Sequence, residues 1–130
     1  FNLALSASTF LFPMDMVRAA FYTVALADGL AEPVGLRFGA GNTFRIRDPL
    51  WKRHNTKSIA GSSTVMLVAF AVGLAMLAGN HGLSVTTIAA ALAYGVVTAV
   101  VEALSPRGLD NLLLAAACPV VLSVLVRVVV

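Results

Sequence analysis

At 130 residues, with 59% hydrophobic side chains, 12% charged ones and a mean hydropathy of +0.91, the chain lies outside the composition of a soluble domain of its size. Its formal charge is +3 with His neutral, carried by few residues, and no nucleic-acid partner is expected of a chain this apolar. The composition describes a membrane protein or a piece of one: all-α, a single polytopic transmembrane helix bundle over residues 1–130 with about four to five helices.

The start, Phe1-Asn2-Leu3, has neither a Met nor a basic n-region, and apolar segments recur along the whole chain, which argues against a signal peptide. Further helices ahead of Phe1, or on another chain, are expected. Residues 3 to 12 form a first apolar segment, stopped by Phe12-Pro13, because proline disfavours helix in the residue before it. A second helix is predicted from Met14 to Met16, with Pro13 near its first turn, to about Leu30, where Gly29 and Pro33 signal its end.

Residues 33 to 62 are of a different kind. They hold Gly, Pro, Asn and six of the nine basic residues, Arg37, Arg45, Arg47, Lys52, Arg53 and Lys57, and are predicted to form a polar loop. No Asp, Glu, Lys or Arg stands between Lys57 and Glu102, a run long enough for two helices of roughly 20 residues each. Gly79-Asn80-His81-Gly82 splits it into helices over 65–78 and 85–104. Ser105-Pro106-Arg107-Gly108 is a turn signal, and Asp110-Asn111 stands where the N-cap of a last helix over 112–130 is expected. Cys118, the single cysteine, reads as a small core residue with neither a disulfide partner nor a zinc set.

Lys and Arg in short loops mark the cytoplasmic side, which puts the 33–62 loop and the 105–110 turn on that face and the 80–84 turn on the other. Asp28, Glu32, the basic segment, Glu102 and Asp110 then converge at one membrane face, although more than 80 residues of sequence separate the first from the last. Arg127, near the far end of the last helix, can snorkel to the other interface.

Acids near membrane-helix ends usually pair with a cation, a metal or a substrate. Asp28 and Glu32 share one helix face if the helix continues through them. Two carboxylates at a polar rim suit Mg²⁺, which takes one or two carboxylates together with substrate phosphates. Gly35, Gly39 and Gly41 allow backbone to approach a phosphate, and Arg37 and Lys57 supply positive charge. The set reads as a nucleotide and Mg²⁺ site at the membrane surface. Plainer uses stand beside this one: a lipid-facing basic segment attracted to anionic headgroups, Asp28 paired with Arg18 or Arg37, His54 and His81 as solvated loop residues, Trp51 and Tyr22 as interfacial anchors.

Three blocks in order, Ala27-Asp28-Gly29-Leu30-Ala31-Glu32-Pro33-Val34-Gly35-Leu36-Arg37-Phe38-Gly39, Lys57-Ser58-Ile59-Ala60-Gly61-Ser62, and Val101-Glu102-Ala103-Leu104 with Asp110-Asn111, resemble the membrane polyprenol kinase family. That family includes dolichol, phytol and farnesol kinases and a CTP-dependent diacylglycerol kinase, and is related to phosphatidate cytidylyltransferase. The resemblance implies transfer of the γ-phosphate of CTP to the hydroxyl of a membrane lipid alcohol, with Mg²⁺, at the cytoplasmic face of an integral membrane protein. It implies that Asp28 serves the metal or the transfer, that Gly35, Arg37 and Gly39 belong to the nucleotide loop, and that Lys57, Ser58 and Gly61 complete the triphosphate site. Glu102, Asp110 and Asn111 would close the site, binding metal or orienting the lipid hydroxyl. A cytidylyltransferase making a CDP-lipid, or a non-catalytic membrane subunit that keeps the fold, are the alternatives.

Overall fold

The computed structural model describes residues 2–48, 54–106 and 108–130. Trp51, Lys52, Arg53 and Arg107 lie outside the described residues. Five helices and one hairpin follow in chain order: α1 (Asn2–Leu11), α2 (Met14–Phe38), β1 (Thr43–Arg47), β2 (His54–Ser58), α3 (Ile59–His81), α4 (Val85–Leu104) and α5 (Asp110–Val129). Three of them, α3, α4 and α5, are long and apolar enough to cross a membrane. α2 matches them in length but carries Asp15, Arg18, Asp28, Glu32 and Arg37, and α1 is too short.

The helices close into a ring in which α2 packs on α3, α3 on α4, α4 on α5 and α5 back on α2, with α1 against α5 and α2. Small residues share the contacts with a few large ones: Ala19 and Ala20 of α2, Ala69 of α3, Ala91 of α4 and Ala115 of α5 are buried beside Leu77, Tyr94, Leu114 and Leu122. Large apolar residues such as Leu67, Leu92, Val120, Val124 and Val128 face outward. Alanines at the contacts and large apolar side chains outside suit a lipid solvent, in which helices associate through close packing rather than through escape from water. Gly95 shows how close the approach is, since a Cβ there would stand 2.7 Å from the Met66 carbonyl oxygen on α3. A Cβ at Gly73 would meet the Tyr94 ring at 2.6 Å. The Tyr94 hydroxyl, in the middle of the bundle, shares a 3.0 Å hydrogen bond with the Thr23 hydroxyl of α2. Cys118 is buried in the same core, as expected.

The helix ends explain the chain path. Pro13 stands at the N-cap of α2, its carbonyl accepting from the Met16 and Val17 amides at 3.0 and 3.2 Å. Ser58 caps α3 by accepting from the Gly61 amide at 3.0 Å, and Ser84 caps α4 by accepting from the Thr87 amide at 3.1 Å. Between α3 and α4, Gly82 takes φ 79°, a left-handed conformation that favours glycine, while its amide bonds to the Ala78 carbonyl at 2.9 Å.

Three sequence expectations are corrected here. The second helix does not end near Leu30: it runs through Gly29 and Pro33 to Phe38. Proline removes one hydrogen bond from a helix interior, and the turn beyond it is held by packing, because Gly35 and Gly61 bring α2 and α3 together around Ser58. The 33–62 segment is therefore not a loop but a helix end, a hairpin and the first turn of α3. In the hairpin β1 and β2 run antiparallel, with Arg45 opposite Thr56 and Arg47 opposite His54. Finally, Asp110 is not the N-cap of the last helix. Leu109 takes that place without a side-chain cap, and Asp110 lies in the first turn, where a carboxylate complements the helix dipole.

Candidate active site

The chain direction brings four helix ends to the hairpin side of the bundle: the C-terminal turns of α2 and α4 and the N-terminal turns of α3 and α5. Between them and β2 lies a cleft of about 390 Å³, lined by Asp28, Glu32, His54, Lys57, Ser58, Gly61, Ser62, Glu102 and Asp110 among others. Asp28 and Glu32 share a face of α2 because the helix continues past Gly29, and both are exposed toward this side. Behind the cleft is a small cavity of about 30 Å³, lined by Asp28, Glu102, Asp110 and Asn111, room for one water or one ion.

Lys57 projects from β2 to the end of α4. Its Nζ donates to Glu102 Oε1 at 2.5 Å and to the Glu102 backbone carbonyl, and the two side chains are only 11% and 17% exposed. The Ser62 hydroxyl donates to the other carboxylate oxygen, Oε2, at 3.3 Å. Across the cleft, Asn111 Nδ2 donates to Asp28 Oδ2 at 3.2 Å, tying α5 to α2. Asp28 thus pairs with neither Arg18, which stands 3.9 Å from Asp15, nor Arg37, whose guanidinium lies 5.6 Å from the Phe38 ring centroid.

Electrostatics follow from that arrangement. Glu102 neutralises Lys57, which leaves Asp28, Glu32 and Asp110 as an excess of negative charge among the described residues that line the cleft. Two helix N-termini oppose it, since Ser58 and Gly61 of α3 and Asp110 of α5 line the cleft and a helix start carries about half a positive charge. Carboxylates in such number repel a bare polyphosphate, and a divalent cation is what would offset that repulsion. Asp28 and Asp110 are hard oxygen donors on facing helices and suit Mg²⁺, which keeps waters and phosphate oxygens in the rest of its shell. Among the described residues, no group of three or more His, Cys, Asp or Glu side chains is arranged to hold a metal ion.

Of the residues singled out from sequence, Asp28, Lys57, Ser58, Gly61, Glu102 and Asp110 meet at this cleft. Gly35, Arg37 and Gly39 do not line it. Gly35 and Gly39 lie behind it against Ser58: a Cβ on Gly35 would stand 3.0 Å from the Ser58 hydroxyl, and one on Gly39 would stand 2.6 Å from the Ser58 Cβ. Packing accounts for these two glycines without a phosphate. Gly61 lines the cleft and also meets Ser58, its own Cβ position lying 3.0 Å from the same hydroxyl. His54, expected as a solvated loop residue, is exposed on β2 and lines the cleft together with Asn55 and Thr56. Sequence reading missed this contribution because it missed the hairpin. The signal was present in Thr43-Phe44-Arg45-Ile46-Arg47, whose polar and apolar residues alternate with the period of a strand. No family model, curated protein or solved structure matches this chain.

Proposed function

We propose that the cleft binds CTP with Mg²⁺ and transfers its γ-phosphate to the hydroxyl of a membrane lipid alcohol of the phytol, farnesol or polyprenol type, on the cytoplasmic side of the membrane. The observation that carries this reading is the meeting of Asp28, Lys57, Glu102 and Asp110 in one cleft at the end of a bundle suited to a bilayer. The resemblance of the three sequence blocks to polyprenol kinases supplies the reaction. Phosphoryl transfer needs positioning and charge neutralisation more than covalent help from the protein, and this side-chain set provides both.

In this reading Asp28 and Asp110 would hold Mg²⁺, and the charge neutralisation that it would supply at the phosphates is its part in the chemistry. The first turn of α3 would turn its positive end to the phosphates, with the Gly61 amide exchanging its bond to the Ser58 hydroxyl for one to a phosphate oxygen. Lys57 exchanges Glu102 for a phosphate oxygen, and the released Glu102 carboxylate accepts the proton of the lipid hydroxyl. The lipid oxygen forms a bond to the γ-phosphorus, the bond from that phosphorus to the β–γ bridging oxygen breaks, and CDP leaves.

Label from the γ-position of CTP should pass to phytol, farnesol or a polyprenol in detergent micelles, and chelation of divalent cations should abolish both transfer and CTP binding. A CDP-lipid and pyrophosphate as products would identify a cytidylyltransferase instead. One observation favours a second reading, a non-catalytic membrane subunit: Lys57 and Glu102 satisfy each other and clamp the hairpin to α4. A folded sample that neither binds CTP nor transfers phosphate would move the reading to such a subunit or to an incomplete piece of a longer enzyme.

A further inference from the structure

Helices α2 and α3 touch closely toward the hairpin and part toward the other end of the bundle. A Cβ on Gly61 would stand 3.4 Å from the Ala31 carbonyl oxygen of α2, whereas one on Gly79, near the end of α3, would meet nothing within 4 Å. The space left between the two helices is a hollow of about 430 Å³, walled by Leu26 of α2 and by Val72 and Met76 of α3. Asp15 and Arg18, from the start of α2, and Asn80, from the last turn of α3, stand at its outer end. From Val72 to Asn80 a helix rises about 12 Å. Because α3 is long and apolar enough to cross a membrane, its last turn would lie at the headgroup layer and Val72 among the acyl chains.

The polar groups at the outer end are loosely engaged. Arg18 Nη1 and Asp15 Oδ1 are 3.9 Å apart, too far for a hydrogen bond, and the two side chains are 69% and 59% exposed. Asn80 Nδ2 donates to the Met76 thioether sulfur at 3.5 Å, and a thioether is a weak acceptor. The start of α2 has no side-chain cap, so its positive end adds to Arg18. A cation and an acid one helical turn apart above an apolar trough match a headgroup that itself carries both charges. An anionic headgroup would bring its phosphate to Arg18 and find Asp15 beside it. A neutral lipid would leave both charges unused. We propose that this hollow binds a zwitterionic phospholipid of the phosphoethanolamine class. Its phosphate accepts from Arg18 and the Asn80 amide, its primary ammonium donates to Asp15, and an acyl chain lies along Leu26, Val72 and Met76. Charge-assisted hydrogen bonds then replace a loose ion pair and a bond to sulfur. A choline headgroup has the same charges but no N–H for Asp15, and so ranks second. The site does not depend on the kinase reading, since it shares no lining residue with the cleft.

The test is native mass spectrometry of the full chain released from micelles that hold equal amounts of phosphoethanolamine, phosphocholine and anionic phosphoglycerol lipids with identical acyl chains. A phosphoethanolamine lipid should stay on the chain, ahead of the phosphocholine lipid and well ahead of the phosphoglycerol one. Gly79→Leu, whose Cβ meets no protein atom within 4 Å, fills the hollow. That variant and Arg18→Gln should each lower the retention at least roughly tenfold. Asp15→Asn should invert the ranking, because Arg18 without its acid favours the phosphoglycerol lipid. Val124→Trp, on the outward face of α5, should change nothing. A preference of the unsubstituted chain for the phosphoglycerol lipid, retention unaffected by Gly79→Leu, or no retained lipid would overturn the assignment. So would a lipid-free dimer that Gly79→Leu abolishes, since a second copy would then cover the hollow. The ranking measured on the unsubstituted chain decides the matter even if a variant does not fold.

Discussion

The two ends of the bundle use similar polar residues for opposite purposes. At the α3–α4 turn, the Ser84 hydroxyl lies 2.8 Å from that of Thr86 and 2.9 Å from that of Thr87, and Thr87 donates to the Gly82 carbonyl at 3.0 Å. Every one of these partners is within five residues along the chain, and the result is a closed turn. At the hairpin end, Lys57 reaches Glu102, Ser62 reaches the same carboxylate, and Asn111 reaches Asp28, across separations of 45, 40 and 83 residues. Local bonds finish a helix, whereas distant ones gather side chains from four helices and a strand and leave a cleft among them. Charge sharpens the contrast: near the first end Asp15 and Arg18 face each other at 3.9 Å, whereas four carboxylates, Asp28, Glu32, Glu102 and Asp110, stand with Lys57 at the second.

Asp28→Asn is the sharpest way to break that contrast. Asp28 is exposed and accepts one hydrogen bond from Asn111, which an asparagine side-chain oxygen can still accept. The thermal midpoint should hardly move, while phosphate transfer should fall by about a hundredfold or more through loss of a metal-directed charge. A loss of folding instead of activity would make Asp28 a structural residue.

Lys57 and Glu102 come next, because the pair serves both readings. Lys57→Met leaves a carboxylate that is 17% exposed with Ser62 as its remaining partner, and should cost about 2 kcal/mol, less than a fully buried pair. Glu102→Gln leaves the ammonium and should cost a similar amount. In the double variant the two costs should not add, since each single change has already broken the shared bond. Unfolding in micelles measures that cycle. If the pair is part of a catalytic site, transfer stays lost in the double variant although its stability falls no further than that of either single variant. If it is only a clamp, the unsubstituted chain has no activity to lose and stability alone responds.

The apolar skeleton was legible in the sequence because each membrane-suited helix is a long uncharged run with a turn signal at its ends. The convergence of Asp28, Lys57, Glu102 and Asp110 was legible too, since alternating the direction of successive helices returns those positions to one side. The hairpin and the extension of α2 were not. Gly29 and Pro33 carry strong local stop signals, and what overrides them is a contact with Ser58 and Gly61, well over twenty residues away. Propensity describes a residue's own backbone and is silent about such a partner. The same contact gives Gly35 and Gly39 a packing use where the pattern had suggested a phosphate loop.

Two glycine substitutions separate packing at the site from packing in the span. Gly39→Ala would drive a Cβ to 2.6 Å from the Ser58 Cβ and 2.2 Å from the Gly35 carbonyl oxygen, and Gly95→Ala would crowd the Met66 carbonyl. Each should destabilise by about 1–3 kcal/mol as an overpacked contact. Gly39→Ala should also lower the activity of the folded fraction, because Ser58 lines the cleft and caps α3. Gly95→Ala should lower stability while leaving the activity per folded molecule intact, which a transfer assay normalised to CTP-binding sites would report.

Ser84→Ala carries the smallest expected effect and gives the other end of the bundle its own test. The Ser84 hydroxyl caps α4 through the Thr87 amide, and removal of a serine cap costs about 1 kcal/mol. Thr87 keeps its bond to the Gly82 carbonyl, so the turn should survive with a slightly lower thermal midpoint. Transfer should be unchanged, because α4 would loosen at its first turn while Glu102 sits at its last. An activity loss as large as that of Asp28→Asn would mean that the two ends are mechanically coupled through α4, and the division into a closed turn and a working cleft would fail.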